Sequence, residues 1–300
     1  MRVLISGGSG LVGSALTSSL RNDGHTVAHL VRPGREKAPG DVFWNPANAI
    51  ADVPAMEGYD AIVHLSGASI AGGRWTVKRK AILRSSRVDS TRVLVDALAH
   101  LKQRPKVFVC ASAIGYYGNR GDELLTESSG YGNDFLSILC RAWEGEASRA
   151  ASDGIRTVCA RFGVVVAAHG GALSAMVRPF KLGLGGRLAS GKQWMSWIAL
   201  EDAVNILRVA IENEAWRGAV NLVSPNPVRN VEFTRILAAV LHRPAIFPVP
   251  AFALRIALGE MADALLLASQ RVQPEKLIQN GYKFRYGTLE PALVEFLSKK

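Results

Sequence analysis

The chain opens on a short apolar run, RVLIS (Arg2 to Ser6), that passes directly into GGSGLVG and then into SALTSSLRNDG. Gly7, Gly10 and Gly13 punctuate that passage, and Leu11, Ala15, Leu16 and Leu20 repeat at helical spacing behind it. A strand, a glycine turn and a helix in that order are the opening unit of a dinucleotide-binding sheet. Each glycine answers a physical demand. The turn needs unusual backbone angles, a diphosphate must approach the main chain, and the helix must pack closely on its strand. The helix start then offers N–H groups and positive potential to phosphate. Gly7, Ser9, Gly10, Leu11, Val12 and Gly13 are therefore the expected diphosphate cradle.

The rest of the chain keeps the alternation. HTVAHLVR, AIVHLSG, KVFVCAS and IRTVCARFGVVV read as strands, and helices are expected over Thr76 to Leu101 and Asn133 to Ala151, the second capped by Asn133 or Asp134. Alternating apolar strands and helices make an α/β fold, a Rossmann-type doubly wound parallel sheet covered on both faces. The pattern loosens after Val166 into glycine-rich loops and proline-punctuated helices. We expect a nucleotide-binding domain over residues 1–165, a strand near 219–224 that returns to its sheet, and a smaller C-terminal α/β lobe over 166–300 on the substrate side.

The second strand bears on the cofactor. NAD sites usually end it with an acid that bonds the ribose hydroxyls. Here it ends HLVRPGR, so Arg32 stands where that acid would be, with Arg35 nearby. A guanidinium there suits the 2′-phosphate of NADP and can stack on adenine, so NADP (as NADPH) is favoured over NAD. The net charge of +11 also favours anionic partners. Cys110, Cys140 and Cys159 are far apart and form no CxxC pair, which points to reduced thiols and a cytoplasmic setting. No apolar run is long enough for a membrane span, and the six histidines show no metal-ligand spacing.

The GxxGxxG spacing of Gly7, Gly10 and Gly13, HLSGAS and Tyr117–Gly118 resemble the extended short-chain dehydrogenase/reductase superfamily, and the segments GGSGLVG, RWTVKRKAILRSSRVDSTR, SAIGYYGNRGDELLTE, PFKLGLGG and NLVSPNPVRNVEF carry a closer likeness. They are most similar to an atypical branch, the uncharacterised "epimerase family protein" group with its own C-terminal domain. The resemblance implies a cofactor site that includes Leu65, Ser66 and Gly67 of HLSGAS, Arg87 of SSR, Ala111 and Val164. It departs at Ala199, where the resembled group carries a histidine in a WIH segment.

The superfamily's chemistry resembles a Ser/Thr, Tyr and Lys triad, in which the lysine lowers the tyrosine pKa. No tyrosine here has a lysine one helical turn on. Tyr116 is followed at that spacing by Arg120, inside a glycine-containing turn that does not guarantee that the two side chains face each other. Ser112 and Tyr116 remain as catalytic candidates because they lie near a strand's carboxyl end, where such sheets bind ligands. Arg141 and Glu144 share a helical face and read as a surface ion pair. The substrate is expected to be a polar or anionic small molecule held by Arg178, Lys181, Arg187 or Lys192. Two readings stay open: an epimerase or carbonyl reductase with non-standard acid/base groups, and a non-catalytic NADP(H)-responsive binding protein. Basic residues from Arg74 to Arg87 with Trp75 among them could touch nucleic acid, but a mixed helical surface is the plainer account, and no sequence-specific nucleic-acid partner is expected.

Overall fold

The computed structural model describes residues 1–34 and 36–298. Arg35, which the sequence sets beside Arg32, lies outside the described residues, as do Lys299 and Lys300.

The opening unit forms as the glycines require: β1 (Arg2–Ser6), α1 (Leu11–Asn22) and β2 (Thr26–Val31). β3 (Val42–Asn45) follows and turns back into β4 (Ile50–Ala51), the one antiparallel pairing of the main sheet. After β5 (Ala61–His64) comes a long helical rod: α2 (Val77–Arg84), a π-turn over Ser85–Asp89, and α3 (Ser90–Ala99). β6 (Val107–Ala113) ends in a 3₁₀ turn, Ile114–Tyr117. β7 (Leu124–Leu125), α4 (Phe135–Ser148) and β8 (Arg156–Phe162) complete this part. Asp134 caps α4 by accepting the Ser137 N–H at 2.8 Å.

Two sequence expectations change in detail. The helix expected over Thr76 to Leu101 is wound more loosely at Ser85–Asp89, which turns Arg87 inward to reach the Ala68 carbonyl at 3.0 Å. The strand expected through IRTVCARFGVVV divides at Gly163, where a side chain would meet the Ser196 carbonyl oxygen at 2.7 Å. Beyond that glycine, β9 (Val164–Val166) leaves the main sheet.

The C-terminal lobe holds α5 (Gly171–Lys181), β10 (Trp194–Met195) and β11 (Trp197–Ala199), which pairs in parallel with β9. The chain then returns. α6 (Leu200–Glu212) packs with α1 on one face of the main sheet, and β12 (Gly218–Leu222) pairs with β8 at its edge. Residues 200–222 thus cover and extend the nucleotide-side sheet. β13 (Val228–Arg229), α7 (Asn230–Leu241), α8 (Ala251–Leu258), β14 (Arg271–Val272) and a last helix, Leu289–Ser298, finish the lobe.

The eight strands of the main sheet run β12-β8-β6-β5-β1-β2-β3-β4. Strand order reverses between β1 and β5, so a doubly wound sheet opens its ligand crevice at their carboxyl ends. Val3, Leu4 and Ile5, Ile62 and Val63, and Val107 to Val109 are inaccessible on both faces, as strands covered by helices on each side must be. The lobe carries its own apolar cluster around Phe180, Trp197, Phe233 and Phe296. Asp202 ties lobe to sheet: it lies in the first turn of α6 and accepts the Arg285 and Tyr286 N–H groups at 2.8 and 2.9 Å.

Candidate functional site

The β1–β5 crevice is a cleft of about 740 Å³, lined by Gly7, Gly8, Ser9, Arg32, Ser66 and Gly67 among others. Its floor is glycine for steric reasons. Gly7 has φ +75°, and a side chain there would sit 2.8 Å from the Leu65 carbonyl carbon. A side chain on Gly13 would lie 2.2 Å from the Gly7 oxygen. Gly8, which the GxxGxxG spacing does not single out, is needed as well, since a Cβ there would strike the His29 ring at 2.2 Å. Gly10 caps α1 and accepts the Ser14 N–H at 2.8 Å, so the N–H groups of Leu11, Val12 and Gly13 have no partner within the helix. That is a cradle for a diphosphate.

The cleft's far wall carries the side chains that choose a ligand. Arg32 follows β2, is exposed, and makes no hydrogen bond or ion pair with any described residue. Glu36 shares this wall. Asp41 spends its carboxylate on the His29 and Ala38 N–H groups at 2.8 and 3.0 Å, which fixes the loop between β2 and β3. His29 packs its ring on the glycine turn, with Nε2 3.0 Å from the Thr17 hydroxyl; burial holds its pKa below the usual value. Behind Gly67, Arg87 bonds the carbonyls of Ala68 and Leu83 and lies over the Trp143 ring, with no carboxylate partner. Burial lowers its pKa too. A half-hidden guanidinium with no carboxylate partner, directly behind Gly67 of the cleft wall, suits an anionic ligand there.

Ala111 and Val164 stand apart from this cleft. Ala111 is buried inside β6, and Val164 lies in the wall of a second cavity, in the lobe.

At the carboxyl ends of β6 and β8 the register sets Ser112 beside Arg161. Ser112 is 3% exposed and donates to Glu144 Oε1 at 2.6 Å. Arg161 grips the same carboxylate with Nε and Nη2, both at 2.8 Å, and donates from Nη1 to the Tyr117 hydroxyl at 2.9 Å. Tyr117 in turn donates to Asn221 Oδ1 at 2.7 Å. Burial acts to lower the Arg161 pKa, but the hydrogen bonds and charge of Glu144 outweigh it and hold the guanidinium ionised. Burial pushes the Tyr117 phenol up to about 12, so it stays protonated.

Tyr116 is different. Its ring lies under the Arg161 guanidinium, 3.5 Å from the centroid, and its hydroxyl bonds no described residue. Arg120, the cation that spacing offers, turns away to Glu123 at 2.5 and 2.8 Å. The cation beside Tyr116 therefore comes from β8. The expected Arg141–Glu144 surface pair is also replaced: Glu144 belongs to Arg161, and Arg141 lies over Tyr131 at 4.2 Å. Sequence reasoning missed Arg161 and Asn221. Their one signal is a polar residue near the end of an otherwise apolar strand.

Arg178, Lys181, Arg187 and Lys192 are all exposed, and none lines the lobe cavity. The basic stretch of α2 is largely engaged: Lys80 pairs with Glu260, Arg84 with Asp89, and Arg79 with the Ser69 carbonyl. Ala199 is fully buried in β11. The three cysteines are buried and unpaired. Among the described residues no helix is long and apolar enough to cross a membrane, and no cluster could hold a metal.

Residues 3–222 match the model of the NAD dependent epimerase/dehydratase family, and residues 249–296 match a domain of unknown function, DUF1731. An epimerase family protein of Mycobacterium leprae is 41% identical over 97% of this chain and 94% of its own. The epimerase family protein YfhF of Bacillus subtilis is 39% identical over 100% and 99%. The crystal structure of the human epimerase family protein SDR39U1 with NADPH superposes with a TM-score of 0.92 at 34% identity, over the full length of both chains.

Proposed function

The chain belongs to the NAD dependent epimerase/dehydratase family, and we propose that it binds NADPH in the β1–β5 cleft and acts on a small molecule as a reductase or epimerase without a lysine-paired tyrosine. The observation that carries the cofactor reading is the unpaired Arg32 at the end of β2. The glycine floor and the uncompensated Arg87 guanidinium fit the same ligand. The NADPH held by the human relative supports the choice. Gly7, Ser9, Gly10, Leu11, Val12 and Gly13 would hold the diphosphate, Arg32 the 2′-phosphate, and Leu65, Ser66, Gly67 and Arg87 would border the rest, while Ala111 and Val164, apart from the cleft, drop out of the cofactor site. NADPH supplies reducing chemistry when bound; the protein's part is to orient it and to move a proton.

For that proton the Tyr116 hydroxyl is the group still free. Ser112 is committed to Glu144, and Tyr117 to Asn221. Tyr116 would donate to a substrate oxygen, with Arg161 over its ring in place of the lysine. Ser112 and Glu144 act as positioning residues that hold Arg161 there. A polar or anionic substrate would have to be met by exposed cations, since the lobe cavity has none. The engaged basic stretch argues against a sequence-specific nucleic-acid partner. The buried, unpaired cysteines suit a reducing cytoplasm.

The test is NADPH oxidation over a panel of carbonyl compounds and sugar nucleotides, with wild type and Tyr116→Phe side by side. The account expects a turnover that falls roughly 10²–10⁴-fold in the variant, the usual cost of losing a general acid. A turnover unchanged in Tyr116→Phe would remove Tyr116 from the mechanism. A second reading, a non-catalytic NADPH-responsive protein, draws on one observation: neither Ser112 nor Tyr116 bonds a lysine among the described residues. It predicts NADPH binding with no turnover on any substrate.

A further inference from the structure

The lobe cavity measures about 160 Å³ and runs inward from Val164 between α5, α7 and the segment after α8. Its walls are apolar: Met176, Phe180, Trp194, Phe233 and Leu265 face it, and no residue in its lining is charged. Asn230, Thr234 and Gln270 are the uncharged polar exceptions. Asn230 Oδ1 accepts the Leu188 N–H at 2.8 Å, and its amide reaches the Met195 sulfur at 3.6 Å. Gln270 donates from Nε2 to the Ile114 carbonyl at 3.2 Å. That bond joins the cavity wall to the turn that carries Tyr116. The Gln270 backbone carbonyl accepts the Ser196 hydroxyl at 2.8 Å, whereas its side-chain oxygen, Oε1, bonds no described residue and is the acceptor that this lining residue leaves free.

The cavity is open and its rim is built. Leu184 lines it and is 59% exposed, and Leu182 beside it is 74% exposed. The rim segment is fixed by backbone pairing: Phe247 N–H to Gly185 at 3.3 Å, Val249 N–H to Arg187 at 2.9 Å, and Ala189 N–H to Val249 at 2.8 Å. Gly186 permits that approach, because a side chain there would lie 1.8 Å from the Phe247 oxygen. Protein interiors reach crystal-like density, so a space of this size is uncommon in them. This space is held open by a bonded rim. A nucleotide sugar is the wrong occupant, because its diphosphate would be desolvated with no cation or N–H cradle to receive it.

We infer that this cavity binds an uncharged apolar molecule, an aromatic ring or branched aliphatic group, as the body of the ligand that the Tyr116 side of the site works on. A cavity of this size with apolar walls is large enough for one aromatic ring. The assignment of substrate class rests on the proposed function; the binding itself does not.

The probe is toluene, an uncharged single aromatic ring, titrated by ligand-observed NMR into wild type, Leu184→Glu and Ala264→Phe, with NADPH binding followed separately by nicotinamide fluorescence. Leu184→Glu sets a carboxylate at an exposed rim position and leaves the core alone; Ala264→Phe fills the cavity. The expected result is saturable binding at one site, weakened at least tenfold in both variants, with NADPH affinity unchanged and no displacement by UDP-glucose. Absence of saturable binding, equal binding by Leu184→Glu, or displacement of the probe by UDP-glucose would overturn the inference. Probe binding without NADPH binding would leave the cavity assignment standing and sink the proposed function.

Discussion

Replacing Arg161 by methionine should cost this protein more than almost any other single change outside the glycine turn. The side chains of Arg161 and Glu144 are 4% and 13% exposed and joined by two bonds of 2.8 Å. Arg161→Met leaves the Glu144 carboxylate buried with only the Ser112 hydroxyl as donor, and strips the Tyr117 oxygen of one partner. Removing one member of a buried pair costs about 3–5 kcal/mol, because the survivor is an uncompensated charge. In a chain of this length that corresponds to a fall in Tm of roughly 5–8 °C. Removing both charges lifts most of the penalty, so Glu144→Leu/Arg161→Met should be more stable than Arg161→Met alone, with a coupling of at least about 2 kcal/mol. Thermal unfolding of wild type, both single variants and the double variant supplies the full cycle. Single variants within about 1 kcal/mol of wild type, or additive effects in the double, would show that the network contributes little and that Arg161 is not locked over Tyr116.

His64 is fully buried between Ser6 and Ser90, and burial lowers its pKa from 6.5 to about 3. The unfolded chain therefore binds a proton that the folded chain does not in that window, so stability falls as pH drops from 6.5 towards 3, by up to about 1.4 kcal/mol per pH unit. Denaturant unfolding against pH should show a flatter acid limb in His64→Gln, and identical limbs would refute the assignment. Gly13→Ala places a methyl 2.2 Å from the Gly7 oxygen, a backbone atom that cannot swing aside. NADPH affinity should fall at least tenfold by fluorescence titration, and an unchanged affinity would mean that the turn is not the diphosphate cradle.

The glycine turn and the strands around it were legible because each is a local demand, met within a dozen residues. The expected parallel sheet is seen, and β12 (Gly218–Leu222) stands at its edge. What was hidden depends on register and on distant neighbours. Glu144 looked like the partner of Arg141 because helical spacing sees only its own helix, whereas Arg161 lies on β8, a strand beyond it. Arg120 looked like the cation for Tyr116 for the same reason, and its turn directs it to Glu123 instead. The division at Gly163 is invisible in a run that reads as one strand, since the clash that forces it comes from Ser196. The lobe cavity draws its lining from Val164 to Gln270, with no periodicity to announce it. Exposed cations nearby in sequence suggested a polar or anionic substrate, and in the fold Arg178, Lys181, Arg187 and Lys192 lie outside this lining.

The central claim is that this cleft selects NADPH through Arg32, and calorimetric titration with NADPH and NADH tests it most directly. A single charge-assisted phosphate contact contributes about 1.5–3 kcal/mol, which is at least a tenfold preference. The account predicts that wild type binds NADPH at least ten times more tightly than NADH and that Arg32→Ala erases most of that difference while leaving NADH affinity in place. Equal affinities in wild type, or a preference that survives Arg32→Ala, would contradict it.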